Sequence, residues 1–246
     1  MEIEFLNTRK SDFFNTKHIY KFLPLEYALD MLDKGYLWFA NPVLWKDPFE
    51  KKFIEASYGG KPFTWKDRVF CSCFTGTSTS EAFWNTYPKG AIGIQLKIKK
   101  ETLLQILKDY MDNYPHCYVF IGKIEYKKTA EIITKPLSAI PFVPMLDNTN
   151  TRSRYFKSRL LLLKRVAYQF ENEYRIVIVK EKKTKEHGIK LFYNVKSEDL
   201  IDTILLDPNL EPNMESLLKE KFAKLLNNKS KVQKSRLYQS LKPARY

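Results

Sequence analysis

A short stretch near residue 170 combines carboxylates with an arginine at a spacing that suits a β-strand. Glu171, Glu173 and Arg175 are two residues apart, and residues 176–179 are all apolar. Because side chains alternate between the two faces of a strand, the three charged groups are predicted to share one face at its start. Carboxylates that enter a buried strand are costly unless they are paired. The cluster is therefore either a structural ion network, in which Glu173 pairs with Arg175 or Lys164, or a functional site.

A second set of polar and aromatic residues follows a predicted strand at 69–74. The loop after this strand is rich in hydroxyl groups, among them Ser78 and Ser80. Loops of this kind can bind phosphates or ribose. Trp84 and Tyr87 are three residues apart and share one helical face, where their rings can stack on a ligand or belong to the core.

The sequence excludes several common sites. It has no P-loop, no Gly-rich dinucleotide turn, no His-Glu-x-x-His zinc motif and no nucleophile elbow. Cys71 and Cys73 lie two apart on a predicted strand, a spacing that suits zinc less well than Cys-x-x-Cys on a turn. We interpret them as buried thiols and predict no metal site.

Positive charge is concentrated in the C-terminal part of the chain. Residues 1–151 carry 20 basic and 17 acidic side chains, whereas residues 152–246 carry 22 and 11. A polyanionic partner such as RNA or DNA is expected, because basic clusters gain affinity by releasing counterions from phosphates. A solvated, solubilising surface is the alternative. The nucleic-acid contacts are predicted in one acid-free basic segment and include Arg152, Arg154, Lys157 and Arg159.

Length and composition favour a globular protein. The chain has 246 residues, 44% of them hydrophobic, and three cysteines, which excludes a disordered tail and a disulfide-stapled scaffold. It has no apolar run long enough for a membrane span and no signal-peptide pattern at its start, so a cytoplasmic protein without a membrane partner is expected. We predict a lead-in at 1–18, a single catalytic-like domain at 19–210, and a basic C-terminal helix and tail at 211–246.

Hydrophobic periodicity predicts an α+β fold. Helices are expected at 24–34, at 103–110, at 153–168 and near 214–226, with Gly35 capping the first. Residues 1–17 are expected to be irregular, and the prolines at 136, 141 and 144 predict a long loop at 135–150. Strands are expected at 19–22, 36–39, 69–74, 92–98, 118–126, 174–180, 189–193 and 203–206; the fourth of these alternates as a half-buried strand does.

The order of several short motifs resembles that of a bacterial and phage family known as domain of unknown function 2971. The resemblance covers residues 19–206. Its motifs are, in chain order, Tyr20-Lys21-Phe22, Ala28-Leu29-x-Met31-Leu32, Gly35-x-Leu37-Trp38-Phe39-x-Asn41-Pro42, Trp45-x-Asp47-Pro48-Phe49-Glu50, Phe70-Cys71-x-x-Phe74, Trp84-x-x-Tyr87, Gly90-x-x-Gly93-Ile94-x-Leu96 and Lys164-x-x-x-Tyr168-x-x-Glu171-x-Glu173-x-Arg175.

The chain is also distantly similar to the ADP-ribosyltransferase superfamily. That similarity implies a split, mixed and antiparallel β core flanked by helices, and NAD as co-substrate. Lys21 falls where the superfamily has a strand-end His or Arg, and Glu171-Asn172-Glu173 matches its Glu-x-Glu motif. Glu173 would stabilise the oxocarbenium-like transition state, and Glu171 would act on the acceptor. The residues implied in NAD binding are Lys21, Tyr20, Ser78, Ser80, Trp84, Tyr87 and Arg175.

Three functions stay open, of which the least favoured is a nuclease or phosphotransferase that acts on RNA without NAD. The first is an NAD-dependent ADP-ribosyltransferase that modifies nucleic acid or a nucleic-acid-associated protein, with a toxin or anti-phage role and an antitoxin as partner suggested by family analogy. The second is a non-catalytic nucleic-acid-binding protein that retains the fold. Lys21 in place of His or Arg departs from the superfamily pattern and is compatible with the second function.

Overall fold

The protein is described by a computed structural model for residues 2–55, 57–58, 61–62, 66–88, 90–134 and 158–238. Most of its strands form one ten-stranded sheet. In chain order the strands are β1 (Glu4–Leu6), β2 (His18–Pro24), β3 (Tyr36–Ala40), β4 (Ser57–Tyr58), β5 (Lys61–Pro62), β6 (Val69–Thr75), β7 (Gly93–Lys99), β8 (Cys117–Lys123), β9 (Glu125–Lys127), β10 (Leu163–Arg165), β11 (Glu173–Lys180), β12 (Gly188–Phe192), β13 (Ile201–Leu206) and β14 (Val232–Lys234).

Helices flank this sheet. They are α1 (Lys10–Phe13), α2 (Leu25–Lys34), α3 (Pro48–Glu55), α4 (Glu81–Thr86), α5 (Lys100–Asn113), α6 (Thr129–Thr134), α7 (Ser197–Leu200) and α8 (Pro212–Leu225), with 3-10 segments at Pro42–Leu44, Val166–Glu171 and Lys229–Lys231. Within the described ranges, no helix combines the length and the apolar character that a membrane crossing needs.

The sheet is mixed but mainly antiparallel. Its main path runs β1-β8-β11-β6-β2-β7-β13-β14, and β3 joins it at β6 and carries β12 on its other side. The parallel pairs in this sheet are β1 with β8 and β13 with β14. The predicted α+β class, with a mixed sheet flanked by helices, is confirmed.

The sheet is split between β2 and β6. β2 pairs with β7 along its whole length, from His18 opposite Lys99 to Pro24 opposite Gly93. Its pairing with β6 is restricted to Tyr20 opposite Thr75. The two strands therefore diverge on either side of this contact, and the sheet consists of a β11-β6 half and a β7-β13 half.

Strand β11 is central because both of its faces are buried. Ile176 and Ile178 belong to the large core cluster, whereas Val177 and Val179 belong to a smaller cluster on the other face. A strand covered on both faces is apolar throughout, as the sequence predicted. The large cluster also includes residues of α2, α5 and α8, so those helices cover one face of the sheet.

Two predictions of secondary structure are wrong. Residues 1–17 are not irregular, because β1 pairs with β8 and Phe13 of α1 is fully buried in the core. In the predicted helix 153–168, a helical turn at 158–160 is followed by β10, which pairs with β9, and by a 3-10 segment. Residues 153–157 lie outside the described residues, as does the predicted loop 135–150.

The strand predicted at 92–98 is more buried than its alternation suggested. Gln95 of β7 is fully buried although it stands at a polar position of the pattern. Its side-chain nitrogen donates a hydrogen bond to the Ser78 carbonyl oxygen at 2.7 Å. The polar residue is therefore accommodated inside the protein because its hydrogen bond is satisfied.

Gly35 ends α2 in the left-handed conformation, with φ of 64°. We expect Gly35→Ala to lower the free energy of unfolding by about 1 kcal/mol, because a Cβ disfavours this conformation. The added Cβ would lie 3.7 Å from Tyr193 Cε2, an ordinary contact, so crowding is not the cause. Urea unfolding measures the change. Gly35→Asn is the matched variant and should lose less, since Asn tolerates this conformation; equal losses would contradict the explanation.

Candidate active site

A narrow cleft opens where β2 and β6 diverge. Its volume is about 30 Å³. The lining comes from β2, from the end of β6, from α4 and the residue after it, and from the turn before β11 with the first residue of that strand. The lining residues are Tyr20, Lys21, Phe22, Cys73, Phe74, Thr75, Phe83, Tyr87, Glu171 and Glu173.

A tight turn brings the two carboxylates into this cleft. Asn172 between them adopts a left-handed conformation, with φ of 42°, which Asn tolerates better than most residues. Its carbonyl oxygen accepts a hydrogen bond from the Gly76 N–H at 3.0 Å. The Thr75 hydroxyl donates to the Glu171 carbonyl oxygen at 2.5 Å. The turn is thereby fixed to the end of β6, and the sequence Glu-Asn-Glu places both side chains at one site.

Glu173 is a buried carboxylate with two cationic partners. Arg175 Nε donates to its Oε1 at 2.9 Å, and Lys164 Nζ donates to its Oε2 at 3.0 Å. Burial alone would raise the pKa of Glu173, but the charges of Arg175 and Lys164 outweigh burial and lower the pKa to about 2. Glu173 is therefore ionised at neutral pH.

Glu171 shares Lys164 with Glu173 but is in a different electrostatic state. Lys164 Nζ donates to Glu171 Oε2, and the Tyr87 hydroxyl also contacts this carboxylate. Burial raises the pKa of Glu171, and the nearby negative charge of Glu173 acts in the same direction against the opposing effect of Lys164. Two neighbouring carboxylates whose pKa values are shifted in opposite directions are typical of acid–base sites.

Arg175 supports Glu173 from behind and does not line the cleft. Its side chain is 1% exposed, its Nη2 donates to Glu50 Oε1 at 2.8 Å, and its Nη1 donates to the Leu161 carbonyl oxygen. The guanidinium carbon lies 4.1 Å from the ring centre of Trp45. Arg175 therefore fixes Glu173, and it is not among the residues that line the cleft, unlike several other residues implied in NAD binding.

Lys21 lies on the β2 side of the cleft. Its Nζ donates to Ser72 Oγ and to the Cys73 carbonyl oxygen, both at 2.9 Å, and lies 4.6 Å from the ring centre of Phe74. Burial lowers the pKa of Lys21, whereas the neighbouring Cys73 and Glu173 groups act to raise it. An ammonium group has three N–H donors. Among the described residues two of them are used by β6, so the third is available to a ligand.

The cleft unites five of the predicted site residues, namely Tyr20, Lys21, Tyr87, Glu171 and Glu173. The other predicted NAD contacts from the hydroxyl-rich loop and α4 are not in its lining. Trp84 is 6% exposed and packs against Phe22 in an aromatic cluster, with ring centres 5.1 Å apart.

Ser78 and Ser80 are also outside the lining. Ser78 is exposed and presents its carbonyl oxygen to Gln95. Ser80 precedes α4 as its N-cap residue, and its side chain makes no capping hydrogen bond there. Both residues lie in the loop that leads into α4.

The predicted nucleic-acid contacts are only partly described. Arg152, Arg154 and Lys157 lie outside the described residues. Arg159 is half-buried, and its carbonyl oxygen accepts a hydrogen bond from the Leu162 N–H at 3.0 Å.

Several residues of the site were not selected from the sequence. Thr75 and Phe83 line the cleft, and Glu50 is the second carboxylate partner of Arg175. Tyr126 accepts a hydrogen bond from the Glu173 N–H at 2.9 Å. Glu50 is part of a motif in the family resemblance, but Tyr126 is 47 residues from Glu173, and no local pattern connects the two.

No protein-family model and no curated protein matches this chain. Among solved structures, Thermus sp. 2.9 DarT in complex with NAD+ is similar, with a TM-score of 0.34 and 10% sequence identity over 90% of this chain and 96% of that chain. At this TM-score and identity the similarity assigns no activity to this chain. The resemblance to domain of unknown function 2971 stays a prediction.

The pKa of Glu173 predicts acid sensitivity. Because folding lowers this pKa from 4.5 to about 2, the stabilisation is complete above pH 4.5 and is lost as the pH falls towards 2. Urea unfolding across this pH range should show a shallower decline for Glu173→Gln than for the native protein. Folding raises the pKa of Glu171, so the contribution of Glu171 to stability has the opposite pH dependence. It is present below pH 4.5 and is lost as the pH rises above 4.5.

The exposed residue Glu101 provides the matched control for this measurement. Glu101→Gln removes a carboxylate from the surface of α5 and should leave the decline unchanged. If Glu173→Gln and the native protein declined in parallel between pH 4.5 and 2, the ion network would not hold Glu173 ionised.

Proposed function

We propose that this protein is an NAD-dependent ADP-ribosyltransferase-like enzyme that modifies nucleic acid or a nucleic-acid-associated protein. The observation that carries the proposal is the buried, ionised carboxylate of Glu173 in the same cleft as Lys21. These two residues come from strands on opposite sides of the split in the sheet. A fixed negative charge and a cation are thus available to one ligand.

Glu173 would act on the ribose next to nicotinamide. Cleavage of the nicotinamide–ribose bond passes through an oxocarbenium-like state, as glycoside hydrolysis does. A carboxylate held by Arg175 and Lys164 cannot rotate away, so its negative charge is already oriented before positive charge develops on the ribose. Glu173 would also accept a hydrogen bond from the ribose 2′-hydroxyl.

Glu171 and Lys164 would act on the acceptor group. The raised pKa of Glu171 brings it nearer to neutral pH, where a carboxylate is an effective general base. Glu171 would orient or deprotonate the attacking group. Lys164, whose Nζ contacts both carboxylates, would stabilise whichever of them carries the negative charge.

The donor set suits NAD, whereas the width of the cleft requires a movement. Lys21 supplies an N–H for a phosphate or ribose oxygen, and Tyr20 and Tyr87 supply aromatic rings and hydroxyls. A volume of about 30 Å³ accommodates roughly one water molecule. Tyr87 ends α4 and stacks on Phe83, with ring centres 5.3 Å apart. Rotation of Tyr87 away from Glu171 would widen the cleft.

The nucleic-acid partner is proposed on charge. The net charge of the chain is +14, and its basic side chains are concentrated beyond residue 151. A toxin or anti-phage role, with an antitoxin as partner, rests on the family resemblance alone, and a cytoplasmic location stays a prediction.

The narrow cleft also favours a second function. The cleft does not admit NAD at its present volume, and two N–H groups of Lys21 are engaged by β6. Both observations favour a non-catalytic nucleic-acid-binding protein that retains the fold. Lys21 in place of the expected His or Arg points the same way. The two functions differ in whether nicotinamide is released.

Labelled NAD tests the proposal. The native protein is incubated with NAD and, in parallel, with RNA, single-stranded DNA, duplex DNA and a cell lysate. Glu173→Gln should reduce label transfer and nicotinamide release by about a hundredfold or more, because it removes the oriented charge. Glu101→Gln, on the surface of α5, is the control and should retain full activity.

Thermal unfolding of each variant shows whether it is folded, so that a loss of activity is not mistaken for a loss of structure. Absence of both nicotinamide release and label transfer in the native protein would reject the enzyme. If salt-sensitive binding to RNA or DNA were then observed, the binding protein would be the function.

A further inference from the structure

A second and larger hollow lies at the C-terminal edge of the described chain. Its volume is about 520 Å³, within the range of small-molecule and nucleotide sites. It is formed by the turn after β13, by one side of α8, and by β14 with the residues that follow it. Its lining residues are Pro208, Glu215, Lys219, Gln233, Lys234, Ser235, Arg236 and Tyr238.

The hollow is positively charged. Lys219, Lys234 and Arg236 line it, and in the described part of the chain Glu215 is its one acidic residue. Glu215 pairs with Lys219 at 2.6 Å and with Lys234 at 3.6 Å. One carboxylate is shared by two lysines and Arg236 is exposed, so the lining carries an excess of positive charge; two further carboxylates, Glu81 and Asp207, lie near Tyr238 at its edge.

An oriented aromatic ring completes the lining. Tyr238 is 47% exposed, and its hydroxyl donates to Glu81 Oε1 at 2.9 Å, which holds the ring against the start of α4. Arg236 is two residues away along the chain. An exposed ring beside cationic side chains is the combination with which proteins bind single-stranded nucleic acid, since bases stack on the ring and phosphates contact the cations.

The hollow is adjacent to the candidate active site through α4. Leu237 packs on the aromatic cluster that contains Phe22 and Phe83, and both of these line the cleft. Tyr238 contacts Glu81 at one end of α4, and Tyr87 lines the cleft at the other end. A helix of six residues is roughly 9 Å long, so a short nucleic-acid segment would reach both places.

We propose that this basic hollow binds one or two nucleotides of a single-stranded nucleic acid and directs the strand along α4 towards the cleft. The direction towards the cleft rests on the proposed function; the binding itself does not. A concave site of this volume accommodates an unstacked nucleotide but not a base-paired duplex. Single strands should therefore bind more tightly than duplexes of equal charge.

Fluorescence anisotropy tests the site with labelled RNA and DNA single strands of about 12 nucleotides. The double variant Lys219→Gln/Arg236→Gln should bind about tenfold more weakly near 0.1 M salt, and the slope of log affinity against log salt should fall by about 1.4, the value for two lost phosphate contacts on a single strand. Lys108→Gln/Lys185→Gln makes the same change in net charge at two exposed lysines outside the hollow. It should leave the slope nearly unchanged.

Substitution of Tyr238 tests the stacking separately. Tyr238→Ala should weaken binding roughly fivefold or more. Tyr238→Phe loses the hydroxyl bond to Glu81 but retains the ring, and should bind nearly as the native protein does. Circular dichroism and thermal unfolding of each variant establish that it is folded.

Three results would overturn the hollow as the binding site. They are an equal loss of affinity in Lys219→Gln/Arg236→Gln and in its control Lys108→Gln/Lys185→Gln, no loss of affinity with Tyr238→Ala, and tighter binding of duplex than of single strands. The proposed reaction can fail independently. If the native protein bound the strand through the hollow but released no nicotinamide, the reaction would be rejected and the hollow supported. If the native protein released nicotinamide and the hollow variants bound the strand as tightly as the native protein, the reaction would be supported and the hollow rejected.

Discussion

The structure around the cleft depends on the neutralisation of buried charge at Arg175. Its guanidinium contacts Glu173, Glu50 and the Leu161 carbonyl oxygen, and it stacks on Trp45. These partners come from β11, from α3, from the residues before β10, and from the residue that follows the 3-10 segment Pro42–Leu44. Removal of one member of such a network leaves a charge buried without a partner, which typically costs several kcal/mol. One strand and three separate segments are thus held together by a single side chain.

That network also explains why two carboxylates can occupy one cleft. Glu171 and Glu173 would repel each other, but Lys164 contacts both and Arg175 contacts one of them. The asymmetry gives the two groups different protonation behaviour although they are two residues apart. Replacement of buried ion pairs by apolar residues of similar volume is often neutral or stabilising. The network is therefore not explained by stability alone, and the stability of the cleft and the proposed chemistry depend on the same contacts.

The sequence predicts the parts of this site that depend on local periodicity. Alternation correctly assigned Glu173 and Arg175 to the start of a buried strand, and the helix at 25–34 was found from its spacing and its terminal Gly35. The same alternation predicted that Glu171 lies on the strand face of Glu173 and Arg175. It reaches the cleft instead through the left-handed turn at Asn172.

The errors arose where distant contacts override local preference. The leucines at 160–163 suggested a helix, yet the chain extends at β10 because it pairs with β9 and because Lys164 contacts Glu171 and Glu173. Trp84 and Tyr87 are three residues apart, a spacing that suggested a shared role on one helical face. The structure places both in one aromatic cluster, but Trp84 packs against Phe22 whereas Tyr87 also lines the cleft beside the carboxylates. Neither outcome is encoded within a few residues.

The split between β2 and β6 has a consequence for how the protein can diversify. The halves of the sheet are joined at Tyr20 and Thr75 by backbone pairing, but core side chains from both halves, such as Leu96 and Ile176, belong to one cluster. Backbone pairing requires a fixed register, whereas apolar packing tolerates substitutions that conserve volume. The seam can therefore absorb small shifts of one half against the other without disrupting a hydrogen-bond ladder. Substitutions in the β7-β13 half, which carries the basic hollow, can therefore leave the geometry of the half that holds the carboxylates unchanged.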